Sequence, residues 1–219
     1  HHTFPHVLVA EPTRCGAVLE HRGIATATVD FTGIGGHASA ARALHDSAVH
    51  EAVRFSARAL DHATQNLDRG EGPLRGLRLN LGAIEGGLKA NMIAASARVR
   101  LGLRPPPELP PTAALAELAA LADPTRTTQS PGFLAPPLPA CGPTTLAAAR
   151  HSARALAHEL GLAIADPVDF WTEAALFSEA GATALVYGPG DIAQAHTAGE
   201  WVALADLVQA TADYRRILS

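Results

Sequence analysis

Apolar positions along the chain fall into short runs punctuated by glycine and proline, and the period of each run predicts its element. Val7-Leu8-Val9-Ala10 is continuously apolar and ends at Glu11-Pro12-Thr13, which predicts a buried strand running into a proline-fixed loop. Arg22 to Phe31 alternates, with Ile24, Ala27, Val29 and Phe31 among polar partners, until Gly33-Ile34-Gly35-Gly36 stops it. Asp46 or Ser47 can cap a helix to about Asn66, with an expected buried stripe of Val49, Val53, Ala57 and Leu60. Strands are predicted over Leu74 to Ile84 and Met92 to Leu103, then a short helix from Thr112 to about Leu121 and an edge strand near Thr125 to Ser130. This β-α-β-β-α-β order is that of a ferredoxin-like domain, an open antiparallel sheet with both helices on one face.

The proline-rich stretch Ser130 to Pro143 reads as a linker, and the pattern changes beyond it. A long Ala-rich helix capped at Thr144 or Thr145 runs to Gly161, a second helix covers Thr172 to Ala180, Ala182 to Val186 is a strand, and a last helix spans Trp201 to Leu218. Alternating helix and strand predicts an α/β layer. The expected organisation is therefore an α/β domain made of residues 1–21 and 131–219, interrupted by an α+β domain over residues 22–130.

Composition narrows the function classes. At 219 residues, with 47% hydrophobic and 17% charged residues, the chain can bury a real core. A net charge of −4 gives no electrostatic footprint for nucleic acid, and no apolar run reaches the length of a membrane span, so a soluble, cytoplasmic protein is expected. Cys15 and Cys141 lie far apart without a CxxC, which indicates neither a disulfide framework nor a cysteine zinc site. His1 and His2 are consistent with the remnant of a tag.

Candidate chemistry gathers at strand ends. Glu11 follows one apolar strand and His196, in Tyr187 to Glu200, follows another; both are either loop residues or ligands of a type suited to zinc. Gly35-Gly36-His37-Ala38-Ser39 is either a hairpin or a turn that presents a histidine to a developing oxyanion. Asn91 and Arg104, at the ends of one predicted strand, offer an amide and a guanidinium for a carboxylate, or are solvated surface groups.

Taken in order, Glu11-Pro12-Thr13, His21-Arg22-Gly23, Gly35-Gly36-His37-Ala38-Ser39, Gly86-Gly87 to Asn91, Arg104-Pro105, Gly188-Pro189-Gly190 and Ala195-His196 resemble the M20 family of dinuclear metallopeptidases and deacylases. Within it the chain looks most like the acetylornithine and acetylcitrulline deacetylase branch. The resemblance implies a catalytic α/β domain holding two metal ions, zinc with cobalt as an alternative, and an inserted ferredoxin-like lid that makes a homodimer. It implies that Glu11 and His196 are terminal ligands to the two metals, and that His37 stabilises the oxyanion, across to the partner's site in dimeric relatives. Asn91 and Arg104 would hold the carboxylate of an N-acyl amino acid, and Gly188 and Gly190 would shape the pocket, with Thr172 beside it.

Two positions depart from the family pattern: Ala94 replaces a usual proline and Glu173 a usual aspartate. In the family the remaining ligands and the catalytic glutamate precede the Glu-Pro-Thr motif, and residues 1–10 match none of them. The expectation is a C-terminal portion of a deacetylase, inactive alone; the alternative is a non-catalytic dimerisation or small-molecule-binding module.

Overall fold

The computed structural model describes residues 4–219, so His1 and His2 lie outside the described residues. In chain order the elements are β1 (His6–Val9), β2 (Ile24–Thr32), β3 (Gly36–His37), α1 (Ala43–Asp46), α2 (Ala48–Gln65), β4 (Arg78–Gly86), β5 (Met92–Ile93), β6 (Ser96–Arg104), α3 (Pro111–Ala119), β7 (Thr127–Ala135), α4 (Leu146–Glu159), α5 (Ala174–Glu179), β8 (Thr183–Val186) and α6 (Leu204–Ile217). They form two compact units. One comprises the chain up to Gly23, Gly72–Leu74 and Pro136–Ser219; the other comprises Ile24–Glu71 and Arg75–Ala135.

In the first unit β1 and β8 pair in parallel, from His6↔Thr183 to Val9↔Val186. β8 is apolar on both faces because both are covered, as parallel strands require. Leu185 and Tyr187 point into a core shared with Ala153, Leu156 and Ala157 of α4 and Ala210 of α6. Ala184 and Val186 point the other way, against Val9, Leu138 and Ala174 and Ala175 of α5. Cys15 and Cys141 are both free thiols.

The second unit is the ferredoxin-like arrangement: an antiparallel four-stranded sheet in the order β4-β6-β2-β7, with α2 and α3 packed on it. Strand alternation sets its two faces. Ala25, Ala27, Val29 and Phe31 of β2 and Ala97, Val99, Leu101 and Leu103 of β6 are buried in one cluster with Phe55 of α2 and Leu115 and Leu118 of α3. Thr26, Thr28, Arg98, Arg100 and Arg104 occupy the intervening positions, on the open face. Ser47 caps α2 by accepting from the His50 N–H at 3.4 Å, and Pro111 opens α3.

Three sequence expectations are corrected. The buried stripe of α2 is Ala48, Ala52, Phe55 and Ala59, while Val53 and Leu60 are about half exposed. Small alanines let the helix lie close to the sheet and leave one aromatic anchor, Phe55, to fill the space, its ring tilted against that of Phe31 at 5.5 Å between ring centres. The segment Met92 to Leu103 is two strands, since the carbonyls of Ala94 and Ala95 turn aside to accept from Ala48 N and Gly33 N. The stretch from Ser130 is not all linker: β7 continues to Ala135, and the unit ends there. Pro131 is tolerated because β7 is an edge strand paired to β2 alone, with a register shift at Ala25/Ala27 beside it.

Candidate functional site

The first group of candidate residues sits where β1 and β8 end side by side. The loop after β1 is stitched to the loop after β8: Thr13 N and Cys15 N donate to the Gly188 carbonyl at 3.2 and 2.9 Å, Arg14 N to the Gly190 carbonyl at 2.7 Å, and Gly188 N to the Thr13 hydroxyl at 3.0 Å. The Glu11 backbone is pressed so closely against Gly188 that a Cβ there would lie 2.7 Å from the Glu11 carbonyl oxygen. Glycine at 188 is thus a condition for placing Glu11. Gly190, at φ +87°, lines a cavity of about 350 Å³ together with Pro12, Pro189, Glu200, Trp201 and Val202.

The Glu11 carboxyl is held above its usual range, first by burial and then by the neighbouring Glu173 carboxylate, with His196 opposing both. Glu173 and His196 are therefore electrostatic neighbours of Glu11. His196 is exposed, has a left-handed backbone at φ 61°, and its N–H donates to Glu200 at 3.2 Å. Among the described residues no group of three or more His, Cys, Asp or Glu side chains is arranged to hold a metal ion.

Thr172 is buried just before Glu173 and α5. Its N–H and hydroxyl lie 3.3 and 3.1 Å from Nε2 of the fully buried His21. His21 Nδ1 faces the Arg22 carbonyl at 2.9 Å, so Nδ1 carries the proton and Nε2 accepts. Burial lowers the His21 pKa to about 4, keeping the ring neutral. Nothing in the sequence assigns His21 a role. Its signal is the His-Arg-Gly tripeptide itself, in which the Arg22 side chain is also fully buried and pairs with Asp169.

His37 and Asn91 belong to the second unit and come together there. β3 and β5 pair as Gly36↔Ile93 and His37↔Met92, and Ala38 N donates to the Asn91 carbonyl at 3.0 Å. His37 Nδ1 lies 2.8 Å from the Ser39 hydroxyl and accepts from Ser39 N at 3.3 Å, which favours the proton on Nε2, facing outward. Arg42 clamps the turn before His37, donating to the Ile34 and Gly35 carbonyls at 3.3 and 3.1 Å and to Asp46 at 2.5 Å. A Cβ on Gly36 would meet the Arg42 guanidinium at 2.5 Å. No periodicity announces this clamp; it follows from the turn geometry.

Arg104 is not brought to Asn91. Thr32 pairs with Ser96, so the His37 loop leaves from the Ser96 end of β6, whereas Arg104 is its last residue. Eight steps of roughly 3.3 Å make β6 about 26 Å long, too far for Asn91 and Arg104 of one chain to hold one carboxylate. Within one chain Asn91 and Arg104 therefore occupy two separate positions.

Residues 19–126 match the M20 peptidase dimerisation domain family. The chain is 47% identical over 213 residues to the N-acetyl-L-citrulline deacetylase of Xanthomonas campestris pv. campestris, covering 97% of this chain and 58% of that protein. It is 35% identical over 221 residues to the acetylornithine deacetylase of Myxococcus xanthus, covering 98% and 57%. The chain thus spans a little over half the length of these curated relatives. Its fold is similar to that of aminopeptidase PepT from Bacillus cereus, with a TM-score of 0.70 at 16% identity over 98% of this chain and 56% of that one. A hydantoinase/carbamoylase-family amidase from Burkholderia phymatum is similar at a TM-score of 0.65 and 17% identity, over 98% and 54%. The chain belongs to the M20 peptidase family, and residues 19–126 are its peptidase dimerisation domain.

Proposed function

We propose that the chain is part of a cytoplasmic, metal-dependent deacetylase that hydrolyses the amide bond of an N-acetyl amino acid of the acetylcitrulline or acetylornithine kind. The observation that carries this is the placement of Glu11 just beyond β1, with Glu173, just before α5, and His196, in the loop beyond β8, as its electrostatic neighbours. In this reading Glu11 and His196 are terminal ligands to two zinc ions, with cobalt as a substitute. The ions, when bound, polarise the acyl oxygen and acidify a water.

The chain's own residues then have separable tasks. His37 donates from Nε2 to the oxyanion, and its Nδ1 contact with Ser39 keeps that proton in place. Asn91 and Arg104 bind substrate, and because one chain holds them at opposite ends of β6, the reading requires a homodimer through the lid. His37 and Asn91 of one copy then serve the site that contains the other copy's Arg104. Thr172, fixed by His21, and Gly188 and Gly190 border the substrate.

Glu11 and His196 give each ion one terminal ligand, whereas catalytic zinc takes three protein ligands, so the reading needs further ligands and a base besides these. Acetate release from N-acetyl-L-citrulline and N-acetyl-L-ornithine, with added zinc or cobalt, tests it. The 219-residue chain alone is expected to release little or none, and to regain hydrolysis when the remaining part of a relative's catalytic domain is supplied; full activity from the chain alone overturns the ligand assignment. A second reading, a non-catalytic dimerisation or small-molecule-binding module, draws on the match of residues 19–126 to a dimerisation domain. Stable dimers that bind an N-acyl amino acid without metal favour it.

A further inference from the structure

On the open face of the β4-β6-β2-β7 sheet the arginines divide by whether an acid stands beside them. Arg98 pairs with Asp30 at 2.6 Å and Arg100 with Glu85 at 3.0 Å. Towards the far end of β4 and β6, Arg78 and Arg104 are direct cross-strand partners, and among the described residues neither has a carboxylate in salt-bridge reach. Arg104 donates instead to the Leu103 carbonyl at 3.1 Å. Directly opposed side chains stand about 4.5–5.5 Å apart at Cβ, and like charges there are destabilising. Arg104 is also partly buried, where its charge is poorly solvated and its pKa is lowered.

These two arginines line a shallow cavity of about 620 Å³ with Thr26, Thr28, Asn80 and Gly102. Gly102 lies opposite Asn80 in the β4–β6 register and raises no side chain, so space is open beside the guanidiniums. The threonines and Asn80 supply neutral polar edges and no negative charge. An anion placed here removes the repulsion and pairs both cations.

We propose that Arg78 and Arg104 together form a paired-guanidinium carboxylate site, with Arg78 a specificity-determining residue. One planar fork can hold both oxygens of a carboxylate with two parallel hydrogen bonds, and a second fork beside it adds donors and positive charge, whereas a lysine offers only a point charge. The ligand class, an N-acyl amino acid with a free α-carboxylate, rests on the proposed function; the arginine pair stands on register and charge.

The test is calorimetric titration of the 219-residue chain with N-acetyl-L-citrulline, its α-carboxamide and succinate. We expect the acid to bind and the carboxamide to bind at least about tenfold more weakly, since hydrogen bonds to a charged group are lost. Arg78→Ala should weaken the acid by about tenfold or more and leave the carboxamide unchanged, and Arg78→Lys should restore part of the loss. Arg78 is exposed, and an unchanged circular dichroism spectrum checks that the variants fold. Acid binding indifferent to Arg78→Ala but abolished by Arg104→Ala overturns the paired site and leaves the deacetylase reading standing. Succinate binding that depends on Arg78, with no binding of the acetylated amino acid, keeps the site and counts against that reading. Failure of every carboxylate to bind overturns the site.

Discussion

His21 Nε2 accepts from Thr172 twice, from the backbone N–H at 3.3 Å and from the hydroxyl at 3.1 Å, while Nδ1 faces the Arg22 carbonyl. Both ring nitrogens are committed, and the bond accepted from the Thr172 N–H does not survive protonation of Nε2. The loop that places Thr172 and Glu173 is therefore anchored by a neutral histidine.

This gives stability a definite pH dependence. A free histidine titrates near 6.5, and buried His21 near 4. Between these values the unfolded chain binds a proton that the folded chain refuses, so the His21 contribution is fully present above about 6.5 and is lost as pH falls toward 4. The loss is on the order of 3 kcal/mol over that window. Urea midpoints measured from pH 7.5 to 4 should fall, and His21→Phe should flatten this part of the curve while lowering stability at neutral pH.

Gly188→Ala should move the loop that carries Glu11, because its Cβ would meet backbone atoms on a stitched pair of loops and not a flexible side chain. The expected cost is about 1–3 kcal/mol. A lower melting midpoint, set against an unchanged far-ultraviolet circular dichroism spectrum, is the signature to look for.

Ser39→Ala removes the hydroxyl 2.8 Å from His37 Nδ1 and leaves the weaker Ser39 N–H contact. Nitrogen chemical shifts should show more of the Nδ1-protonated tautomer, with little change in melting temperature because both residues are exposed. On the proposed oxyanion role of His37, kcat of the assembled deacetylase should fall by less than about tenfold with KM nearly constant, because only transition-state stabilisation is weakened.

Tyr187→Phe tests the core beneath the Gly188 loop. The Tyr187 hydroxyl donates to Asp213, its own carbonyl accepts from Tyr214, and the two rings meet edge to face at 5.7 Å between centres. Losing a buried hydrogen bond to a carboxylate should cost about 1.5–3 kcal/mol. Tyr187 is the leading cause that holds the Asp213 carboxyl below its usual range, followed by Gln209 and Arg216. That stabilisation is present above the ordinary carboxylate pKa and lost as pH falls below it. The variant should therefore lose more at pH 7 than at pH 3 in chemical denaturation.

Much of this molecule was legible before folding because local rules carry it. The alternation in Ile24–Thr32, the Ser47 cap, Pro111 at a helix start and the glycines at 33 to 36 each mark an element within its own few residues, and their order already specifies the ferredoxin-like unit. The order of short motifs likewise identifies the family. Tertiary structure alone decided which face of α2 is buried, because tight alanine packing against the sheet overrides the larger apolar side chains of Val53 and Leu60. It alone separated Asn91 from Arg104 by the length of β6, tied His21 to Thr172 across 151 positions of sequence, and set Arg78 opposite Arg104. These are distances between residues remote in sequence. Periodicity reports which face a residue occupies, and register and packing determine which distant residue it meets there.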